Sequence, residues 1–309
     1  MTGEPYLQRL TGRLIDGADR LPADVRRRHA LWVGGRQNPD GGFSGREGGS
    51  DLYYTGFALR TLAVLQHLES AVCAQSANYL QSLRPGPTTP VDVFSFLVAA
   101  ALVRIGGGPD VLAESGEDWP DRVAATLEPL RRPDGGYARS PDGTTGSTYT
   151  TFLVALAHEL VGRTVANPPQ ILKFLRGRYR DGGFVEIPQM KRAGTNPTAA
   201  GVGTLQMLGA LDDETRAAVG PFLVRLATPE GGLRANDRIP TADLLSTFTG
   251  GWTLADVGGL DRLDLGRMGA YAESLQGPDG VFRGGSWDTG YDVEYTFYGI
   301  GVLALLAGG

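Results

Sequence analysis

The sequence predicts an all-α chain in which six helix pairs close into a double ring, an (α/α)6 barrel filling residues 1–309 as one domain. Three observations predict it. A turn recurs as Asp40-Gly41-Gly42-Phe43, Asp134-Gly135-Gly136-Tyr137 and Asp181-Gly182-Gly183-Phe184, with Glu230-Gly231-Gly232-Leu233 and Asp279-Gly280 as variants. From Asp134 onward its steps are 47, 49 and 49 residues, and Asp40 stands 94 residues before Asp134, so a degenerate copy lies between them. Each turn leads into a helical stretch whose apolar and small residues are spread around the axis, the pattern of a helix buried on most sides. The stretch before each turn is amphipathic instead. Self-similarity at a fixed period of this size denotes a repeat architecture, and six buried helices inside six half-buried ones make a closed double ring.

Taken in order, Pro5–Asp19 reads as a short N-terminal helix and Pro22–Gln37 as the first outer helix. In the latter, Val25, Ala30, Leu31 and Trp32 share one face while Arg26, Arg27 and Arg28 face water. Asn38-Pro39-Asp40-Gly41-Gly42 ends it. Proline cannot continue a helix, the Asp40 side chain closes an Asx-turn, and the glycines accept positive φ. The first inner helix follows at Asp51–Gln66. The degenerate second copy supplies outer helix Ser70–Leu83, a loop at Arg84–Pro90 and inner helix Val91–Ile105. The remaining outer and inner pairs are Asp121–Arg131 with Thr148–Val161, Pro168–Gly177 with Pro197–Leu211, Asp212–Ala227 with Leu244–Leu254, and Asp261–Gln276 with Tyr295–Leu306. Asp51 and Asp92 read as helix caps.

Composition bounds the function. Apolar residues make up 41% of the chain, enough for a core. A net charge of -5 without a basic run argues against nucleic acid as the main partner. The single Cys73 leaves no internal disulfide framework and suits a reducing cytosol. Met1–Arg20 carries no apolar signal core, and no run reaches the length of a membrane span, so neither export nor a membrane anchor is expected.

The repeat also decides where chemistry can occur. Every turn feeds the N-terminus of an inner helix, so the helix N-termini converge on one rim. Their unpaired amide donors favour an anion such as a diphosphate. Aromatic residues gather at the same helix starts: Tyr53, Tyr54, Phe94, Phe96, Tyr149, Trp252, Tyr291, Tyr295 and Phe297, with Trp287 in the loop before. A polar lip over aromatic walls suits an isoprenoid, because ring faces pack hydrocarbon and attract cations; the same rings could equally be filling for the barrel. Lys191, Arg192, Arg234 and Arg238 lie in two neighbouring rim loops and are candidates for holding a diphosphate head, with solvated loops as the alternative.

The six-fold turn-and-inner-helix repeat resembles the α/α-toroid superfamily that contains protein prenyltransferase β subunits and squalene and terpene cyclases, over nearly the whole chain. In length it is most similar to the geranylgeranyltransferase β subunit. Val91-Asp92-Val93-Phe94-Ser95-Phe96 resembles the third-repeat inner helix of those subunits, and Arg238-Ile239-Pro240-Thr241-Ala242-Asp243 resembles the segment carrying their zinc ligands. The resemblance implies a lysine for the diphosphate, then an aspartate, a cysteine and a histidine for zinc. This chain has Arg238, Thr241, Asp243 and Tyr295 there. Arg238 can still meet a diphosphate, but a hydroxyl, a carboxylate and a phenol do not make a zinc-thiolate site. Cys73, His29, His67 and His158 lie elsewhere in the pattern, so no zinc is expected.

The cyclase branch of the superfamily implies an Asp-rich signature, D-x-D-D-T, whose central carboxyl protonates an alkene. Asp292-Val293-Glu294-Tyr295-Thr296 is a partial match at an inner-helix start. With Asp288 and Asp243 as further candidates nearby, carboxylates sharing a desolvated pocket push one pKa up and keep a proton available. Capping is the other explanation for the same residues. The sequence thus leads to proton-initiated cyclisation of a polyprenyl substrate, with Asp292, Glu294, Asp288 and Asp243 as catalytic candidates. No resident cofactor is expected, Mg2+ entering only with a diphosphate substrate. Zinc-independent prenyl transfer, with a partner α subunit, and a non-catalytic barrel that binds lipid or peptide stand as alternatives.

Overall fold

The computed structural model describes residues 4–83, 86 and 88–308. Thirteen α-helices are present among them. The chain opens with α1 (Tyr6–Ala18) and α2 (Ala23–Gly34), followed by α3 (Leu52–Val64), α4 (Ser70–Ser82) and α5 (Pro90–Ile105). Then come α6 (Trp119–Leu127), α7 (Thr148–Leu160), α8 (Pro168–Arg178), α9 (Thr195–Met207) and α10 (Asp213–Val224), and finally α11 (Leu244–Val257), α12 (Leu265–Ser274) and α13 (Val293–Ala307). All six expected inner helices form, as α3, α5, α7, α9, α11 and α13. Part of the loop expected at Arg84–Pro90, namely residues 84, 85 and 87, lies outside the described residues.

The contacts divide the chain into two compact units. One holds residues 8–123 and 275–309, the other residues 1–7 and 124–274. In the first, α3 packs between α5 and α13, so the last inner helix adjoins the first. In the second, α9 packs between α7 and α11.

Each turn works by the same local chemistry. Gly41 and Gly231 adopt φ of 90° and 105°. A Cβ on either would lie 1.9 Å from the Gln75 carbonyl oxygen or 2.3 Å from that of Arg267, on the following outer helix, so only glycine lets the turn seat there. The reversal brings the flanking residues into antiparallel bridges, Gln37 with Phe43, Arg131 with Tyr137, Ala227 with Leu233 and Gln276 with Phe282. The turn at residues 180–183 closes a two-residue ladder, β1 (Tyr179–Arg180) with β2 (Gly183–Phe184), and the loop after the last turn closes another, β3 (Phe282–Arg283) with β4 (Tyr291–Asp292). Those short strands were not in the all-α expectation; they arise where a turn, or the loop before an inner helix, reverses the chain.

A buried relay ties each turn to its inner helix. The residue after the turn donates its N–H to a threonine hydroxyl one turn into the helix: Phe43 to Thr55 at 2.9 Å, Tyr137 to Thr151 at 3.0 Å, Phe184 to Thr198 at 2.9 Å, Leu233 to Thr247 at 3.0 Å and Phe282 to Thr296 at 3.2 Å. Each hydroxyl donates in turn to the carbonyl at the helix cap, at 2.6 to 2.7 Å. All five threonines are buried. In the degenerate copy the equivalent place is Val93, four residues after the cap Thr89, and no such relay is possible.

The face of α2 differs from expectation. His29, Ala30 and Val33 are buried, while Leu31 is 65% exposed. The reason is polar: His29 Nδ1 donates to the Gly280 carbonyl of the last turn, and its ring stacks on Phe282 at 5.5 Å. That pairing rotates Leu31 outward and holds the last repeat against the first.

Replacing Thr198 with Val keeps the shape but strands the buried Phe184 N–H, which costs about 1–3 kcal/mol. Urea unfolding of Thr198→Val should show a loss of that size, and Thr198→Ser a much smaller one.

Candidate functional site

The carboxylates at the start of α13 are positioned by three different local rules. Asp292 is the helix cap, and its Oδ1 accepts the Tyr295 N–H at 2.9 Å. Asp288 sits in the preceding loop and accepts the N–H groups of Gly284 and Gly290, each at 3.0 Å. Glu294 is two residues into the structure beyond the cap, in the first helical turn, among rings.

Arg46, from the glycine-rich loop between α2 and α3, joins the first two. Its Nη1 and Nη2 donate to the two oxygens of Asp288 at 2.8 and 2.5 Å, and its Nε donates to Asp292 Oδ2 at 2.9 Å. Both aspartates are buried, whereas Arg46 is 38% exposed. Hydrogen bonding to Asp288 keeps the guanidinium strongly protonated. Burial pushes the Asp288 carboxyl up, but Arg46 and the Gly290 and Gly284 amides outweigh it and hold its pKa at about 2.

Glu294 has the opposite environment. Its Oε1 accepts the Tyr53 hydroxyl at 2.7 Å and the Tyr298 hydroxyl at 3.3 Å. Burial raises its carboxyl above the ordinary value against the Tyr53 hydrogen bond, and the Asp292 charge adds to the rise. Around it Tyr53 meets Phe57 edge-on at 4.8 Å, and Phe57 meets Phe297 at 5.5 Å and Tyr298 at 5.4 Å. Arg60 lies over the rings of Phe57 and Phe297 at 4.1 and 4.5 Å. Tyr54 packs on Tyr53 at 5.4 Å, and burial together with the Glu294 and Asp292 charges raises its hydroxyl.

The structure therefore gathers Asp288, Asp292, Glu294, Tyr53, Tyr54 and Tyr295 within one unit, with Tyr295 under Arg46 at 5.7 Å. Phe94 is buried and Phe96 half-buried on α5 of the same unit. Trp287 is 60% exposed on the loop, and Tyr291 is exposed with its ring edge against the Gly277 backbone, so neither belongs to the ring cluster.

The other predicted residues belong to the second unit. Asp243 caps α11, accepting the Ser246 N–H at 2.7 Å and the Ser246 hydroxyl at 2.8 Å, and burial raises its pKa. Arg192 is ion-paired with Asp237 of the neighbouring loop, Arg234 donates to the Arg225 carbonyl at 3.4 Å, and Arg238 is exposed, as is Lys191. Tyr149 is exposed at the start of α7, its N–H on Glu186 at 3.2 Å. Trp252 is buried, its indole donating to the Tyr6 hydroxyl at 3.1 Å. Asp51 does cap α3, accepting Tyr53 N–H at 2.8 Å. Asp92 is not the cap of α5: Thr89 is, and Asp92 accepts its hydroxyl at 2.6 Å.

The residues at the positions of the implied zinc site do not fit that ion. Both Asp243 oxygens already serve Ser246, Thr241 offers a hydroxyl, and the Tyr295 phenol belongs to the ring cluster. Among the described residues no group of three or more His, Cys, Asp or Glu side chains gathers as a metal site. Sequence reasoning missed Arg46 and Tyr298. Nothing local announces Arg46, 242 residues from Asp288. Tyr298 was findable, since it follows Glu294 by one helical turn.

The chain matches the family described as the prenyltransferase alpha-alpha toroid domain over residues 10–184 and 198–308. It is 28% identical over 195 residues to the protein farnesyltransferase subunit beta of Pisum sativum, a stretch covering 62% of this chain and 46% of that protein, less than half its length. Among solved structures, protein geranylgeranyltransferase-I of Candida albicans complexed with GGPP superposes with a TM-score of 0.71 at 13% identity, covering 91% of this chain and 90% of that one. A type II terpene cyclase from Scytonema superposes with a TM-score of 0.62 at 15% identity, covering 95% and 98%. At these identities the superpositions show the fold. Among the described residues no helix is long and apolar enough to cross a membrane.

The ion pair predicts a pH-dependent stability. A carboxyl with a folded pKa of about 2 and an ordinary value of 3.8 adds stability that is fully present above pH 4 and is lost as pH falls towards 2. Arg46→Met should cost about 1–3 kcal/mol at pH 7, an amount discounted for the partial exposure of the arginine. In urea unfolding the gap to the parent protein should close by more than half near pH 2. A gap independent of pH would show that the Arg46 charge is not what holds Asp288.

Proposed function

The chain belongs to the prenyltransferase alpha-alpha toroid family, and from that premise we propose that it is an isoprenoid-processing enzyme that starts cyclisation of a polyprenyl substrate by proton transfer from Glu294. The observation that carries this reading is the split among the three acidic residues of one site. Arg46 keeps Asp288 ionised and is ion-paired with Asp292, while Glu294 is raised and set among tyrosine and phenylalanine rings. Opposed environments of this kind mark acid and counter-charge roles.

In the proposed step the Glu294 O–H bond breaks as a C–H bond forms at a terminal double bond of the substrate, leaving a carboxylate and a tertiary cation. The next double bond closes on that cation, and loss of a proton ends the sequence with the mass formula unchanged. Tyr53 and Tyr298 orient the carboxyl by their hydroxyls, and the aromatic cluster around it favours a cation. Asp292 and Asp288, as fixed negative charges, favour the positive charge that develops nearby. The step asks for no metal; a diphosphate on the substrate would bring Mg2+ with it. We assign the reaction to the cytosol, a reading that the single cysteine of the sequence supports.

The similarity to a farnesyltransferase β subunit supports a second reading, prenyl transfer in company with a partner subunit and without zinc.

The test is incubation with geranyl, farnesyl and geranylgeranyl diphosphates and squalene, reading products by mass spectrometry. The expected result is an isomeric product whose rate falls about 10²–10⁴-fold in Glu294→Gln. The rate should fall as pH rises through the raised Glu294 pKa, since the acid must be protonated. Asp292→Asn removes a charge that raises this pKa and moves the fall to lower pH; Tyr53→Phe removes a bond that lowers it and moves the fall to higher pH. Saturable binding without turnover would refute the cyclase reading, and product joined to an added acceptor would favour transfer.

A further inference from the structure

Where a turn meets the next outer helix, the third and fourth repeats differ. In the third, polar side chains fill the place. Arg131, bridged to Tyr137 across its turn, donates through Nη2 to the Tyr137 hydroxyl and, at 2.7 Å, to the Ala166 carbonyl just before α8. Its Nε donates to Glu128 at 2.5 Å, Tyr137 donates to the same carboxylate at 3.0 Å, and the guanidinium lies over the Tyr137 ring at 4.6 Å. His158 of α7 is buried beside this cluster.

In the fourth repeat each of those groups is replaced. Tyr179 stands where Arg131 does, paired with the residue after the turn, and Phe184 stands where Tyr137 does. Leu205 stands where His158 does, 47 residues on, as Thr198 answers Thr151. With the polar plug gone, a cavity of about 280 Å³ opens between this turn, the end of α9 and the start of α10. Leu175, Phe184 and Leu205 are its buried apolar floor; Tyr179, Asp212 and Glu214 form its lip.

The lip has one negative charge to spare. Asp212 caps α10, its Oδ1 accepting the Thr215 N–H at 2.7 Å, and Arg176 is near enough for its charge to act on it. Glu214, in the first turn of α10, has no hydrogen-bond or ion-pair partner among the described residues, and the Tyr179 hydroxyl has none either. Burial, and then the Glu214 and Asp212 charges, raise that hydroxyl, so the two free groups lie close together. The Tyr179 ring meets Phe184 edge-on at 5.3 Å, and aromatic walls attract a cation. The carboxylates repel an anion, and a wholly apolar molecule leaves the free groups without partners.

We propose that this cavity is a binding site for a small organic cation, a primary amine on an apolar body, whose ammonium donates to Glu214 and to the Tyr179 hydroxyl while the body lies on Phe184 and Leu205. An ammonium has three donors, enough for both groups and for water. The volume is at the small end for ligand sites, so the body is a single ring or a short branched chain. The site shares no residue with the acidic site of α13 and does not rest on the reaction proposed there.

The test is a ligand-observed NMR titration of the full chain at neutral pH with phenethylamine and isopentylamine, beside phenethyl alcohol and phenylacetate. At least one amine should bind saturably and one-to-one, at least about tenfold tighter than the alcohol, and the carboxylate should not bind. Glu214→Gln, on an exposed side chain, should weaken the amine about tenfold or more and leave the alcohol within about twofold. Tyr179→Phe keeps the ring and should weaken the amine about threefold or more. Asp213→Asn removes an equal charge from an exposed side chain that does not line the cavity, and should change the amine affinity less than about twofold. The site is overturned if neither amine binds, if the alcohol or the carboxylate binds as tightly, or if amine binding survives Glu214→Gln. A loss as large in Asp213→Asn as in Glu214→Gln overturns the direct pairing with Glu214.

Discussion

The threonine one turn into an inner helix is the constraint on which the rest depends. Its hydroxyl has one proton and spare acceptor capacity, and both are used inside the protein: the proton goes to the cap carbonyl, the lone pair to the N–H after the turn. The turn is thereby bolted to the helix start. The residue that donates, Phe43, Tyr137, Phe184, Leu233 or Phe282, is itself at most 2% exposed, so one residue supplies both the hydrogen bond and a large buried side chain. Three copies make room for it with a glycine one turn further on: added methyls at Gly201, Gly250 and Gly299 would lie 2.7, 2.6 and 2.4 Å from Phe184, Leu233 and Phe282. The inner-helix starts are held where they are by this pairing, and the acidic site of α13 stands on one of them.

What the sequence made legible follows from how local the cause is. A turn of Asp-Gly-Gly and a helix without a charged stripe are written within about twenty residues, and all six inner helices lie within a few residues of their expected bounds. The Asp51 cap is equally local. Asp92 was misread because Thr89, three residues earlier, competes for the same role and wins: the shorter side chain reaches the Asp92 N–H from the cap position. The face of α2 was misread because its orientation is decided by the Gly280 carbonyl, about 250 residues away, through a histidine that amphipathic counting treats as polar. Arg46 was invisible for the same reason, as its partners belong to the last repeat.

The site shows the same division. Aromatic residues at helix starts were legible as a class, yet their roles were not, because exposure depends on the neighbouring loop. Trp287, on the loop, and Tyr291, on β4, are exposed, whereas Tyr53 and Tyr298 converge on one carboxylate oxygen. Tyr298 was absent from the candidates although it lies on the same helix face as Glu294.

The D-x-E spacing at the start of α13 is what divides the carboxylates chemically. The cap residue, with φ -155° and ψ 174°, is still extended, so the Asp292 side chain turns back over its own helix start, where backbone amide and Arg46 meet it. Two residues later the chain is helical and the Glu294 side chain leaves on a different azimuth, towards the rings of α3. An aspartate at the same place would be one methylene shorter and would tend to fold back on the helix backbone, as short acidic side chains do near N-termini. Glutamate clears the backbone and reaches the Tyr53 hydroxyl. The raised pKa of Glu294 and the low pKa of Asp288 thus have a common origin: the cap and the loop attract Arg46, and the carboxyl beyond them is raised by burial and the field of Asp292, against the Tyr53 bond and the Arg60 charge.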